Sequence, residues 1–254
     1  MCACKYPRFR FCRNLYFFRF RLMCNQEMHM ADMDVGLMPP PKVERQIKSK
    51  ERVSKHGEVF TAEREVNAML DLVKQETERI ESRFLEPACG DGNFLIEILR
   101  RKLAICEERV HKRQFTQLQY EKHAVWAVSS IYGIELLPDN AAACRQRLYA
   151  YFCEQYERLF GSECKPACRE AVAYLLERNI IMGDALTYRR VDNPDEWIVV
   201  SEWSFIGDGK VVRRDYSFSY LVATGQGGDL FSDTPCDTFP PVYFLNLNSQ
   251  TYHE

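Results

Sequence analysis

No apolar run in this chain of 254 residues is long enough for a signal peptide or a membrane-spanning helix, and arginine interrupts every candidate near the start. Secretion by a cleaved leader and a helical membrane anchor are therefore not expected. Net charge is scarce as well: 34 Lys and Arg against 36 Asp and Glu leave −2. A chain so balanced has no strong non-specific hold on a polyanion, so action on nucleic acid would need a local basic face or a partner. No internal repeat is visible, and the length suits one domain with a core of its own and room for an appendage.

Acidic residues are absent from positions 1–24, where Lys5, Arg8, Arg10, Arg13, Arg19 and Arg21 alternate with Phe9, Phe11, Tyr16, Phe17, Phe18 and Phe20. Such an arm can touch nucleic acid through phosphate contacts and stacking. The stronger expectation is a leader without structure over 1–42, translated from upstream of the true start, with Met28, Met30, Met33 and Met38 as alternative starts. Pro39-Pro40-Pro41 marks a boundary, and the folded part is expected to begin near 43–50. The eleven cysteines are odd in number and irregularly spaced, which speaks for free thiols in a reducing compartment and a cytoplasmic location. Cys164 and Cys168 lack a matching Cys or His pair, so two thiols at a helix start are expected rather than half a metal site.

Apolar spacing organises the rest. Val66, Met69, Leu70, Val73 and Ile80 predict one amphipathic helix over 62–81, with Thr61 as its N-cap. A strand over 84–87 leads into a helix over 93–105, and the charged, glutamine-rich stretch 106–128 reads as a helical insertion. A second strand, Ile131–Glu135, precedes a long helix opened by Pro138-Asp139-Asn140 and running to about Phe160, with Cys144, Leu148, Tyr151, Phe152, Gln155 and Leu159 as its inner stripe. A helix over 167–178 and a third strand, 179–184, follow. Strands alternating with helices imply an α/β fold with a doubly wound, mostly parallel sheet of at least three strands. Beyond Leu186 the pattern changes: 197–206 and 210–222 alternate around Gly207-Asp208-Gly209, a β-hairpin signal, before a loop-rich tail. The expected division is 1–42 leader, 43–190 core and 191–254 extension.

The most informative stretch is Phe84-Leu85-Glu86-Pro87-Ala88-Cys89-Gly90-Asp91-Gly92-Asn93-Phe94. A strand end delivers an acid into a Gly-x-Gly turn, and a helix follows at once. The glycines permit close approach of a ligand to the main chain, and the helix start presents unpaired N–H groups. The third glycine of the dinucleotide fingerprint and the Gly-Lys-Ser/Thr ending of a triphosphate loop are both missing, which argues against nicotinamide, flavin and nucleotide triphosphate.

Residues 86–94 resemble the S-adenosylmethionine loop of the amino-methylating DNA methyltransferases, Asp/Glu-Pro-Ala-Cys-Gly-x-Gly-Asn/Ser-Phe. Gly133-Ile134-Glu135-Leu136-Leu137-Pro138-Asp139-Asn140 looks like their second motif and Met182-Gly183-Asp184-Ala185-Leu186 like their third. Gly57-Glu58-Val59-Phe60-Thr61 is similar to the segment that closes over the methionine end of the cofactor. Its position ahead of the loop matches the gamma class of adenine-N6 enzymes, including modification subunits of restriction systems. The resemblance covers roughly residues 50–190. It implies a Rossmann-like core binding S-adenosylmethionine, lined by Phe60, Thr61, Glu86, Ala88, Gly90, Gly92, Asn93, Phe94, Glu135 and Asp184. Glu135 would accept the ribose hydroxyls and Asp184 the adenine N6 amine, which leaves the methionine amino group for Glu86.

The family's catalytic loop, Asn/Asp-Pro-Pro-Tyr/Phe after a fourth strand, is not found. Asn193-Pro194-Asp195-Glu196 puts acids where proline and an aromatic are needed, and Phe239-Pro240-Pro241-Val242 lacks the polar acceptor and the aromatic; simple turns are expected at both. No catalytic residue is therefore assigned. The resemblance implies a component of a restriction–modification system that meets DNA through a partner recognition or catalytic subunit, in a hetero-oligomer and away from membranes. Two alternatives stand beside it: a non-catalytic interaction module on a methyltransferase fold, and a methyltransferase for RNA or protein.

Overall fold

The computed structural model describes residues 15–17, 48–56, 58–219 and 234–253. Strand β1 (Leu15–Phe17) falls within the predicted structureless leader; the rest of 1–42 lies outside the described residues. Helix α1 (Lys50–His56) comes next. The single helix predicted over 62–81 is two, α2 (Glu63–Asp71) and α3 (Lys74–Thr77), with the turn at Leu72 and Val73. The apolar spacing runs through this turn, and tertiary contacts place it: Arg101 bonds the carbonyl and side chain of Asn67 and pairs with Asp71, while Lys102 fastens the carbonyls of Ile80 and Ser82. The N-cap of α2 is Ala62 rather than Thr61, and the Glu65 carboxylate accepts from the Ala62 N–H at 3.1 Å.

Strands β2 (Arg83–Glu86), β3 (Ile131–Glu135) and β4 (Ile180–Asp184) form a parallel ladder, with β1 added in parallel beside β2. A short antiparallel strand, β5 (Arg189–Arg190), closes the far edge and gives the order β1-β2-β3-β4-β5. The β2–β3 and β3–β4 crossovers each carry two helices. Between β2 and β3 run α4 (Asn93–His111) and α5 (Gln117–Ser129); between β3 and β4 run α6 (Pro138–Phe160) and α7 (Pro166–Asn179). Thr116 and Gln119 close a reciprocal capping box that starts α5. Pro138 occupies the first turn of α6, where its fixed φ fits and its missing N–H costs nothing. Cys144, Leu148, Phe152 and Tyr156, four residues apart, then form the buried stripe of α6.

Both faces of the parallel sheet are covered. A Cβ on Gly133 would strike Leu95 of α4 and Cys89. The adjacent Tyr132 points to the opposite face, where its hydroxyl donates to the Ser201 carbonyl at 3.0 Å. Ser201 belongs to β6 (Val199–Ile206), which pairs along its whole length with β7 (Lys210–Ser217) across the Gly207–Gly209 turn. Strands β8 (Asp237–Thr238) and β9 (Val242–Tyr243) extend this hairpin to a four-stranded antiparallel sheet, and α8 (Ser249–Tyr252) ends the described chain. The molecule is thus α/β with one mixed and one antiparallel sheet. A single buried apolar cluster runs from Val66 to Tyr252, so residues beyond 190 share the core.

Candidate functional site

The turn after β2 is held by its own backbone. The Cys89 N–H donates to the Ile134 carbonyl at 3.0 Å, tying the turn to β3, and the Gly92 N–H donates to the Cys89 carbonyl at 2.9 Å. Gly92 is the N-cap of α4, and no side chain caps that helix. Gly90 (φ 55°) and Gly92 (φ 93°) lie where L side chains are strained. Space excludes them too: a Cβ on Gly92 would come within 2.7 Å of Cys144 Sγ, and one on Gly90 within 3.0 Å of the Phe60 ring. Phe60 therefore lies directly against the turn.

Register gathers the three carboxylates. Glu86 pairs with Gly133 and Glu135 with Met182. Partners in a parallel ladder share a face and alternate residues return to it. Glu86, Glu135 and Asp184 accordingly lie at the carboxyl ends of adjacent strands, on the face that carries α4. Their surroundings differ. Glu86 is buried, its Oε2 has no hydrogen-bond partner, and burial pushes its pKa up to about 8 against a weaker opposing bond from the Ala88 backbone. Glu135 is also buried but engaged at both oxygens: Oε2 accepts from Gly90 N at 2.7 Å, and Oε1 accepts from Leu137 N at 3.0 Å and Asn140 Nδ2 at 3.3 Å. Asp184 is half-buried, and its Oδ1 accepts from Leu186 N at 2.8 Å, capping the turn out of β4.

A cavity of about 260 Å³ opens beside the glycine turn. Of the predicted residues, Phe60, Thr61 and Asn93 line it; the three carboxylates and the two glycines do not. Asn93 Nδ2 donates to the Thr61 carbonyl at 3.0 Å, which joins the segment ahead of α2 to the start of α4. Ala88 is exposed, whereas Phe94 packs in the hydrophobic core. The predicted set thus divides into a sheet edge, a neighbouring cavity and one core residue.

Sequence reading missed the polar frame around this edge. Arg147 of α6 donates to the Asp91 carbonyl at 2.8 Å and to Asn93 Oδ1 at 3.0 Å, bracing the turn from outside. Arg52 grips Glu58 (2.5 and 2.8 Å) and Asp139 (2.8 and 3.1 Å), and Asn140 joins Glu58 to Glu135. The bonds from Arg147 to the turn, Arg52 to Asp139 and Asn140 to Glu58 join residues 54 to 87 positions apart and carry no local pattern that would betray them.

Neither near-match to the missing catalytic loop reaches this edge as a strand end. Asn193 closes a turn between β5 and β6, with Glu196 N donating to its carbonyl at 2.9 Å. Phe239 N donates to the Arg213 carbonyl at 2.9 Å, and Pro240-Pro241 join β8 to β9. Cys168 is buried in the core, Cys164 Sγ donates to the Tyr156 carbonyl, and no group of three metal-ligating side chains occurs among the described residues. No described helix is long and apolar enough to cross a membrane. No family model, curated protein or solved structure matches this chain.

Proposed function

We propose that this chain binds S-adenosylmethionine at the carboxyl edge of β2–β4 and is the cofactor-binding component of an adenine-N6 DNA methyltransferase. The core resembles one half of a Rossmann-like sheet: β1 to β4 follow in sequence order without the reversal that the expected doubly wound sheet requires, and β5 closes the far edge. The carrying observation is Glu86, a buried carboxyl group beside a glycine turn with an oxygen left unpaired. A buried polar atom without a partner costs free energy in a lone fold, and a cationic amine would remove that cost. Glu86 would hold the amino group of the methionine part, Glu135 the ribose hydroxyls and Asp184 the adenine N6 amine. Glu135 retains room for a further donor, since a carboxylate offers about four acceptor positions and three donors are in place. When bound, the cofactor supplies an electrophilic methyl on a sulfonium; an amine conjugated into its ring is a poor nucleophile, and positioning provides most of the rate in such transfers. The DNA assignment and the restriction–modification setting rest on the motif resemblance alone.

Equilibrium dialysis with tritiated S-adenosylmethionine tests the reading. Wild type should bind with a dissociation constant of about 1–100 μM, with Glu135→Ala and Asp184→Ala each at least about tenfold weaker, the loss of one hydrogen bond to a charged group. Absence of binding to wild type ends the proposal.

One observation favours a second reading. After β4 the described chain continues in antiparallel strands, and both near-matches to the catalytic loop are tied into turns. A non-catalytic interaction module needs no such loop. Its partner binding would survive Glu135→Ala, whereas methylation of DNA with a complementing subunit would not.

A further inference from the structure

The segment ahead of the glycine turn is fastened differently from the rest of the fold. Among the described side chains of α1 and residues 58–60, none is buried. What holds the segment is charge: Lys48 and Arg52 both pair with Asp139, Arg52 pairs with Glu58, and Lys48 donates to Asn140 Oδ1. Every anchoring partner on the body lies in the first turn of α6, directly after Glu135. The strap ends on Phe60, whose ring covers Gly90.

Asn140 is the junction. It is buried at 1 % exposure, and both of its amide donors are used. One amide Nδ2 serves two carboxylates, Glu58 Oε1 at 2.7 Å and Glu135 Oε1 at 3.3 Å, while Oδ1 receives Lys48. A carboxylate at this position has no proton to give and would face two others, and an alanine would leave both bonds unmade.

We infer that α1 and residues 58–60 form a latched strap over the cofactor edge, and that Asn140 is a positioning residue coupling closure of this strap to the orientation of Glu135. A ligand reaching Gly90 must move the Phe60 ring, and a ligand that takes up Glu135 changes the load on Asn140 and, through it, on Glu58. Strap and carboxylate therefore respond together. The coupling to cofactor rests on the function proposed above; the latch itself does not.

Hydrogen–deuterium exchange on the full chain, read over α1 and residues 58–62 with α5 as reference, separates the two. Asn140→Asp should speed exchange of the strap without ligand by about tenfold, the weight of one charge-assisted hydrogen bond. Arg52→Ala, which disturbs no core residue, should do the same while leaving α5 unchanged. For S-adenosylmethionine, the affinity should fall by about tenfold or more in Asn140→Asp and by less in Arg52→Ala, because only the first also releases Glu135. Unchanged strap exchange in either variant overturns the inference, as does a rise in α5 equal to that of the strap in Arg52→Ala. If wild type fails to bind the cofactor while the ligand-free exchange behaves as stated, the proposed function falls and the latch stands.

Discussion

Two buried ionisable groups set the residue-scale behaviour. Glu86 has its pKa raised from 4.5 to about 8 by burial. Between those values the folded protein keeps a proton that the unfolded chain has lost, so this group makes stability fall as pH rises from about 4.5 to 8. Glu86→Gln should therefore be more stable than wild type at pH 8, by about 4 kcal/mol, with the gap closing towards pH 5 in denaturant titrations; a gap independent of pH would contradict this. Lys102 acts with the opposite slope. Its amine is wholly buried among the Ile80 and Ser82 carbonyls and Ser130 Oγ, and burial lowers its pKa from 10.5 to about 7. Above pH 7 the unfolded chain binds the proton and the fold does not, so stability gained from this group rises towards pH 10.5. Gly92 gives a third check. Gly92→Ala meets both a positive φ and Cys144 Sγ and should cost about 2–4 kcal/mol, whereas Gly161→Ala, at φ 51° with open space around it, should cost about 1. Equal losses in the two melts would show that contact with Cys144 contributes nothing.

Legibility from sequence changes with the element. Strands β2, β3 and β4, helix α6 and the β6–β7 hairpin are readable because their signals are local: apolar runs of strand length, a proline in the first helical turn, and a Gly-Asp-Gly turn between alternating segments. The carboxylates at the strand ends were found for the same reason, since strand and turn signals place the edge. Other elements are fixed by distant partners. Leu15–Phe17 is a strand only through its pairing with β2, and the alternating arginines and phenylalanines around it carry no strand boundary. The α2–α3 break interrupts an unbroken apolar spacing, so nothing local announces it. Thr61 has the chemistry of an N-cap, but its carbonyl is engaged by Asn93 and the helix begins one residue later. The strap network joins residues about 90 positions apart, Lys48 to Asp139 and Arg52 to Asp139, and no window of sequence contains it.

At the scale of the whole molecule the two sheets form one folded body. Asn179 is the rivet: it is fully buried, its amide donates to the Ser129 and Ile131 carbonyls, and its oxygen accepts from Trp203 Nε1 at 2.9 Å. Trp203→Ala should remove about 3–5 kcal/mol, and truncation at residue 190 should leave the parallel sheet without a cover on its Tyr132 face and unable to fold cooperatively, which a thermal melt would reveal. The carboxyl edge of β2–β4 thus belongs to a sheet backed on its Tyr132 face by the antiparallel sheet, with α1 and residues 58–60 tied beside it by the Arg52 and Lys48 pairs. The most direct test of the account is an amide NMR titration of the intact chain with S-adenosylmethionine. Saturable shifts concentrated at residues 88–93, 135–137 and 184–186, abolished in Glu86→Gln, are the predicted result. No shift at these positions, or shifts confined to another surface, would contradict it.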